Sequence, residues 1–203
     1  MFSIRAAAFE EEGPSEAVSG ARRLLRGPAG EVVALAANPR APEVCVVGST
    51  GAVWTWDYER RVVLAERRDK KLKPWEMPTA VAYRSDGRGV LVGTAGGALL
   101  ALDPGTLAEA QAMRFGKEAV TKIVVSDDPG CTRAALADVG GCVSLFQLCG
   151  AFDAPAADGA DPARAFEFIG KHRSFPPLSD GGGVRGVAFF SRRDDGGEDG
   201  EEG

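Results

Sequence analysis

The chain has 203 residues, 27 of them glycine, roughly twice the usual share, with 44% hydrophobic and 26% charged residues. That balance excludes a disordered chain, a coiled coil and a collagen-like repeat, and no apolar run approaches the roughly 20 residues a membrane-spanning helix needs. The formal net charge is −5. All but one unit of it falls in residues 192–203, where Arg192 and Arg193 face six acidic residues, so the remainder is close to neutral.

Met1–Phe9 has no basic region ahead of its apolar stretch and meets Glu10-Glu11-Glu12 at once, which argues against a secretory leader and for a soluble, intracellular chain. Glu16–Leu25 has the composition of a short helix, and Phe2–Ile4 that of a strand from a preceding unit. From residue 30 the pattern changes to short apolar runs in groups of four. Val32–Ala36, Val44–Val47, Gly51–Asp57 and Val62–Ala65 form the first group. Thr79–Tyr83, Val90–Val92, Gly97–Asp103 and Leu107–Phe115 form the second, and Val120–Val125, Ala134–Ala137, Gly141–Gln147 and Ala165–Ile169 the third. Val184–Phe190 reads as the opening strand of a fourth.

The glycines that open the third run of each group, Gly51, Gly97 and Gly141, are 46 and then 44 residues apart. Turn residues separate the runs: Asn38-Pro39, Ser85-Asp86-Gly87 and Asp127-Asp128-Pro129-Gly130 after the first, and Ser49-Thr50-Gly51, Ala95-Gly96-Gly97 and Val139-Gly140-Gly141 after the second. Tight hairpins need such residues because the backbone there takes positive or fixed φ. The runs are apolar almost throughout, so each strand is covered on both faces, as when sheets stack face to face. A parallel α/β sheet would demand amphipathic connecting helices, and none is evident after residue 30. Four strands per 44–46 residues is the period of a propeller blade.

The third runs read Val53-x-Thr55-Trp56-Asp57, Leu99-x-Ala101-Leu102-Asp103 and Val143-x-Leu145-Phe146-Gln147, and this series resembles the WD repeat, although only the first keeps Trp-Asp. The expected fold is therefore all-β: a partial, open WD-repeat β-propeller of three four-stranded blades plus the start of a fourth. Residues 1–29 form an N-terminal segment, 30–191 the partial propeller (blades at about 30–75, 76–117 and 118–176, with the next starting in 177–191), and 192–203 an acidic disordered tail. Propellers use about 4–8 blades, so such an arc implies a fragment, a truncated product or completion by another polypeptide.

No catalytic constellation stands out. His172 is the sole imidazole and reads as a surface-loop residue within the basic loop Gly170–Ser174. Cys45, Cys131, Cys142 and Cys149 form no C-x-x-C pair and read as small hydrophobes in a reducing compartment. No phosphate-binding loop is present, and the calcium-loop-like Asp195-x-Gly197-x-Asp199-Gly200 lacks the carboxylate at the third loop position and reads as solvated acidic tail. Gly97–Leu107 resembles a quinoprotein-type blade once only, without a docking Trp in each blade. The expectation is a non-enzyme without cofactor, metal or small-molecule substrate.

Loop charge points instead to a partner surface. In a propeller, loops leaving the fourth strand share a rim with loops between the second and third strands. That rim gathers Arg67, Arg68, Lys70, Lys71, Lys73, Lys117, Lys171, His172 and Arg173. The opposite rim gathers Glu43, Asp57, Glu59, Asp86, Asp103, Asp127 and Asp128, and the insert Cys149–Pro162 adds Asp153, Asp158 and Asp161. A disc charged in this way steers acidic protein partners, and its few exposed aromatics, Trp75 and Phe175, argue against nucleic acid.

Phe166-Glu167-Phe168-Ile169-Gly170-Lys171-His172-Arg173-Ser174, leading into Val184–Phe190, together with Trp56-Asp57-Tyr58-Glu59 and Val92-Gly93-x-x-x-Gly97, is similar to the large WD-repeat subunit of the calmodulin- and spoke-associated complex of motile cilia. Phe175-Pro176-Pro177 departs from that family's pattern. The resemblance implies a non-catalytic axonemal scaffold of radial spokes, located in the cytoskeleton of the cilium, with other subunits of the spoke or calmodulin-associated complex as partners. The alternative is a general cytoplasmic WD-repeat adaptor, and beyond it a quinoprotein-type enzyme.

Overall fold

The computed structural model describes residues 30–69, 71–126, 132–149, 164–173 and 187–189. The expectations for residues 1–29, the insert after Cys149 and the acidic tail lie outside the described residues. So does most of Val184–Phe190, of which Val187–Phe189 is described and takes no regular structure.

Twelve strands run in chain order among the described residues: β1 (Val32–Ala37), β2 (Glu43–Gly48), β3 (Val53–Asp57), β4 (Val62–Arg67), β5 (Pro78–Tyr83), β6 (Val90–Thr94), β7 (Ala98–Leu102), β8 (Glu109–Arg114), β9 (Val120–Val125), β10 (Arg133–Asp138), β11 (Cys142–Leu148) and β12 (Phe166–Arg173). They form three four-stranded antiparallel sheets in simple up-and-down order, β1-β2-β3-β4, β5-β6-β7-β8 and β9-β10-β11-β12, one for each expected blade. The only helical turn among the described residues is a 3-10 turn at Pro74–Glu76 between blades one and two.

The turns repeat because the same chemistry recurs at the same register. Gly51, Gly97 and Gly141 all adopt positive φ (+85°, +74° and +79°), the conformation that the β2–β3, β6–β7 and β10–β11 hairpins require. One residue of each pair before the turn accepts the amide four residues on: Thr94 Oγ1 from Ala98 (3.1 Å) and Asp138 Oδ1 from Cys142 (2.8 Å). At the other end, Asp57 closes the β3–β4 turn by accepting the amides of Glu59 and Arg60 (3.0 and 2.8 Å). Asp103 does the same after β7 for the amide and hydroxyl of Thr106 (2.8 Å each). The Asp of the Trp-Asp pair is thus a turn-closing acceptor, and this explains why Asp is the residue kept in two of three repeats.

The core lies between the sheets. Cys45, Val47 and Val53 of blade one pack against Val81, Val90, Val92 and Leu102 of blade two. Ala80, Leu91 and Leu99 of blade two pack against Ile123, Leu136 and Phe146 of blade three. The first strands lie side by side, β1 beside β5 and β5 beside β9. Thr79 Oγ1 donates across the second junction to the Val120 carbonyl (2.7 Å), and Thr55 Oγ1 across the first to that of Pro104 (2.8 Å). The strands β2, β6 and β10 lose alternation, as expected for surfaces covered on both sides: β6 is buried at every position.

Two readings change. Lys171, His172 and Arg173 are not in a loop but form the end of β12, paired in register with Ser144, Val143 and Cys142. Their charges disguise an edge strand, whose outward side chains need no apolar period. Leu107 does not open the fourth strand of blade two. It sits in the preceding turn at φ +56° and is 2% exposed, while β8 starts at Glu109.

Arg84 and Asp86 anchor the loop end of blade two. The Arg84 guanidinium is buried, donates to the Cys149 carbonyl of blade three, and pairs with Asp86 at 2.8 Å. Burial alone raises the Asp86 carboxyl, but hydrogen bonds from Arg84 and the Arg88 amide, with both arginine charges, outweigh it and hold its pKa below the ordinary aspartate value. A depressed carboxylate stabilises the fold above its unfolded pKa near 3.8 and ceases to do so as pH falls through the folded value. Asp86→Asn is therefore expected to cost about 1 kcal/mol at pH 7, the carboxylate being partly solvent-screened, and less at pH 3. Urea unfolding at the two pH values checks this.

Candidate interaction site

Backbone bonds build the rim that carries the expected basic residues. The first amide of each β2–β3-type turn donates to the chain just ahead of its own first strand: Ser49 to Glu31, Ala95 to Met77 and Val139 to Ala119 (2.8, 2.8 and 2.9 Å). Residues 75–77 therefore lie against the turn 95–97, and the Gly96 amide donates to the Trp75 carbonyl at 2.8 Å. The 3-10 turn is fixed by Pro74 and by the Glu76 carboxylate, which accepts the Lys73 amide at 2.9 Å.

Several of the predicted basic residues are neutralised. Arg67 pairs with Asp69 at 3.0 Å and reaches Glu109 of blade two at 3.3 Å; Arg68 pairs with Glu66, and Lys171 with Asp138 at 3.3 Å. Lys73 lies over the Trp75 ring, 5.3 Å from its centroid, and Trp75 is 49% exposed. Lys71, Lys117, His172 and Arg173 are exposed and make no ion pair among the described residues. Lys70 lies outside the described residues. The opposite end is mixed as well, since Arg40, Arg60, Arg61, Arg84 and Arg88 stand among its acids. Among these cations, Lys71 and Lys73 are grouped with the exposed Trp75.

Directly beneath that group is a feature the sequence reading did not find: a cavity of about 760 Å³ between blades one and two. Its apolar lining includes the partly exposed Leu72, Trp75, Ala98 and Leu100 alongside the fully buried Val92 and Leu102. Arg67, Lys71 and Arg114 line it together with the carboxylates of Asp69, Glu76 and Glu109. Arg114 donates from Nε to the carbonyls of Gly96 and Gly116 (3.0 and 3.2 Å) and forms no ion pair among the described residues.

The neighbouring junction shows why the space is open. Arg67 pairs with Val53 as Met113 pairs with Leu99, so Arg67 and Asp69 occupy the register positions of Met113 and Phe115. Glu109 pairs with Leu102 as Phe168 pairs with Phe146. Between blades two and three, Phe115, Phe146 and Phe168 interlock edge-to-face, with centroids 5.0 and 5.5 Å apart, and Met113 packs beside them. Between blades one and two the same places hold an Arg67–Glu109 ion pair and Asp69, which leave the apolar lining uncovered.

Solved structures show the same architecture. The chain is similar to the structures of U3-55K and of the WD40 repeats of RRP9, with a TM-score of 0.59 to each. The fold is a WD40-type β-propeller arc. Sequence identity is 13% and 14%, and each match covers 75% of this chain and 42% of the other, so the chain spans less than half of those propeller proteins. No model of a known protein family matches the sequence, and no curated protein matches it.

Other chemistry in the propeller arc is sparse. Among the described residues no three His, Cys, Asp or Glu side chains converge as metal ligands. Cys45 is buried between blades one and two, and burial pushes its thiol up to about 12. Tyr83 is raised in the same way, and its hydroxyl has no hydrogen-bond partner among the described residues.

Proposed function

We propose that this propeller arc is a non-catalytic scaffold that captures protein partners through the rim around Lys71, Lys73 and Trp75. The observation that carries the reading is the coincidence of exposed, unpaired cations, an exposed aromatic and an open apolar cavity at one place, where an interface needs a central anchor and a charged border. We further propose, on the sequence resemblance alone, that the parent protein is the spoke-associated WD-repeat subunit of motile cilia, acting on the axoneme.

Two measurements test these readings separately. Tagged chain incubated with demembranated axonemes should be retained, and Lys71→Glu/Lys73→Glu should lower retention at least about fivefold at low salt and less at high salt. Retention unchanged by the double substitution contradicts the rim. Failure of the parent chain to bind axonemes, with salt-sensitive recovery of defined complexes from soluble extract, assigns a general WD-repeat adaptor instead.

A further inference from the structure

The second blade junction shows what kind of group would fill the cavity between blades one and two. At the second junction the equivalent volume is filled by Phe115 and Phe168 against Phe146. At the first, Asp69 and Glu109 stand in their places, and the partly exposed Leu72, Ala98 and Leu100 supply the apolar lining. A volume of about 760 Å³ is within the usual range of small-ligand sites and can receive an aromatic side chain together with the backbone that presents it. Of the lining cations, Arg67 is already shared between Asp69 and Glu109, whereas Lys71 and Arg114 have no carboxylate partner among the described residues.

We infer that this cavity is a peptide-anchoring site which takes an aromatic side chain of a partner protein, flanked by carboxylates that pair with Lys71 and Arg114. The inference deepens the rim reading and rests on it. The anchor replaces, from outside, the phenylalanines that seal the second junction from within. Binding energy comes from burying the ring on the apolar lining, Trp75 and Leu72 included, while the cations set orientation and speed of encounter.

The test uses the full 203-residue chain and the fluorescein-labelled peptide Ser-Asp-Glu-Phe-Asp-Glu-Ser, with two controls in which Phe is replaced by Ala or the four acids by Gln and Asn. Fluorescence anisotropy should show the Phe peptide binding at least about tenfold more tightly than the Ala peptide, and losing affinity as salt rises. Methyl resonances of Leu72, Ala98 and Leu100 should shift on titration with the Phe peptide. In the chain carrying Arg67→Met and Asp69→Phe, which rebuilds the second junction's filling, peptide binding should fall at least about tenfold while the melting temperature rises. Equal binding of the Phe and Ala peptides, or silent lining methyls, overturns the inference even if the double variant fails to fold. If axoneme capture responds to Lys71→Glu/Lys73→Glu but peptide binding does not depend on Phe, the rim reading stands and the anchoring site falls; if neither responds, both fall.

Discussion

Phe146→Ala is expected to cost about 3–5 kcal/mol, a large share of the roughly 5–15 kcal/mol by which a domain of ordinary stability is held folded. Phe146 is fully buried and touches Phe115, Phe166 and Phe168 edge-to-face, so truncation removes the hub of the second junction and leaves a cavity its rigid neighbours cannot close. Its register equivalent at the first junction, Leu102, is also fully buried, but it packs among aliphatic side chains such as Val53, Val92 and Leu107 and not in a ring cluster. Leu102→Ala should therefore cost about 2–4 kcal/mol, somewhat less than Phe146→Ala, because the side chain removed is smaller and forfeits fewer contacts. Urea unfolding followed by tryptophan fluorescence separates the two; equal losses would mean that the first junction is as tightly filled as the second.

The second large effect is expected at Gly97. A Cβ there would lie 2.7 Å from the Gly116 carbonyl carbon and 2.9 Å from the Glu118 carbonyl oxygen, at a φ of +74°. Both obstacles are backbone, so no side chain can swing away, and the left-handed conformation adds its own cost. Gly97→Val should destabilise by about 3–4 kcal/mol and pull the β6–β7 turn away from the β8–β9 connection. Gly105 is the control: a Cβ there meets only Asp103 Oδ1 at 3.5 Å, and Gly105→Ala should change stability by less than about 0.5 kcal/mol. Thermal melts by circular dichroism check both.

The strand plan was legible because it repeats. Gly51, Gly97 and Gly141 mark the hairpins, Asp57 and Asp103 close the outer turns, and doubly covered strands such as Val90–Thr94 lose their polar positions. Where the strands leave the repeat, legibility failed. Lys171–Arg173 looked like a loop because an outer edge strand carries no apolar signature. The cavity was hidden because β4 starts one residue earlier in its repeat than β8, so Arg67 and Met113 align at the 46-residue spacing of the repeat but not by counting from their strand starts. One signal was available: the fourth run of blade one ends in Glu66-Arg67-Arg68-Asp69, whereas that of blade two ends in Met113-Arg114-Phe115. The ion pairs that consume Arg67, Arg68 and Lys171 were invisible in sequence, since Glu109 and Asp138 come near only through folding.

The stacking of the sheets is what every claim above requires, and a nuclear Overhauser experiment on the methyl-labelled chain measures it directly. The Val120 methyls of blade three press on Gly93 of blade two, where an added Cβ would meet them at 2.5 Å. Strong cross-peaks are expected between those methyls and the Gly93 α-protons, and between Ile123 of blade three and Ala80 of blade two, which share one cluster. Cross-peaks within each sheet but none across the junction would contradict the account.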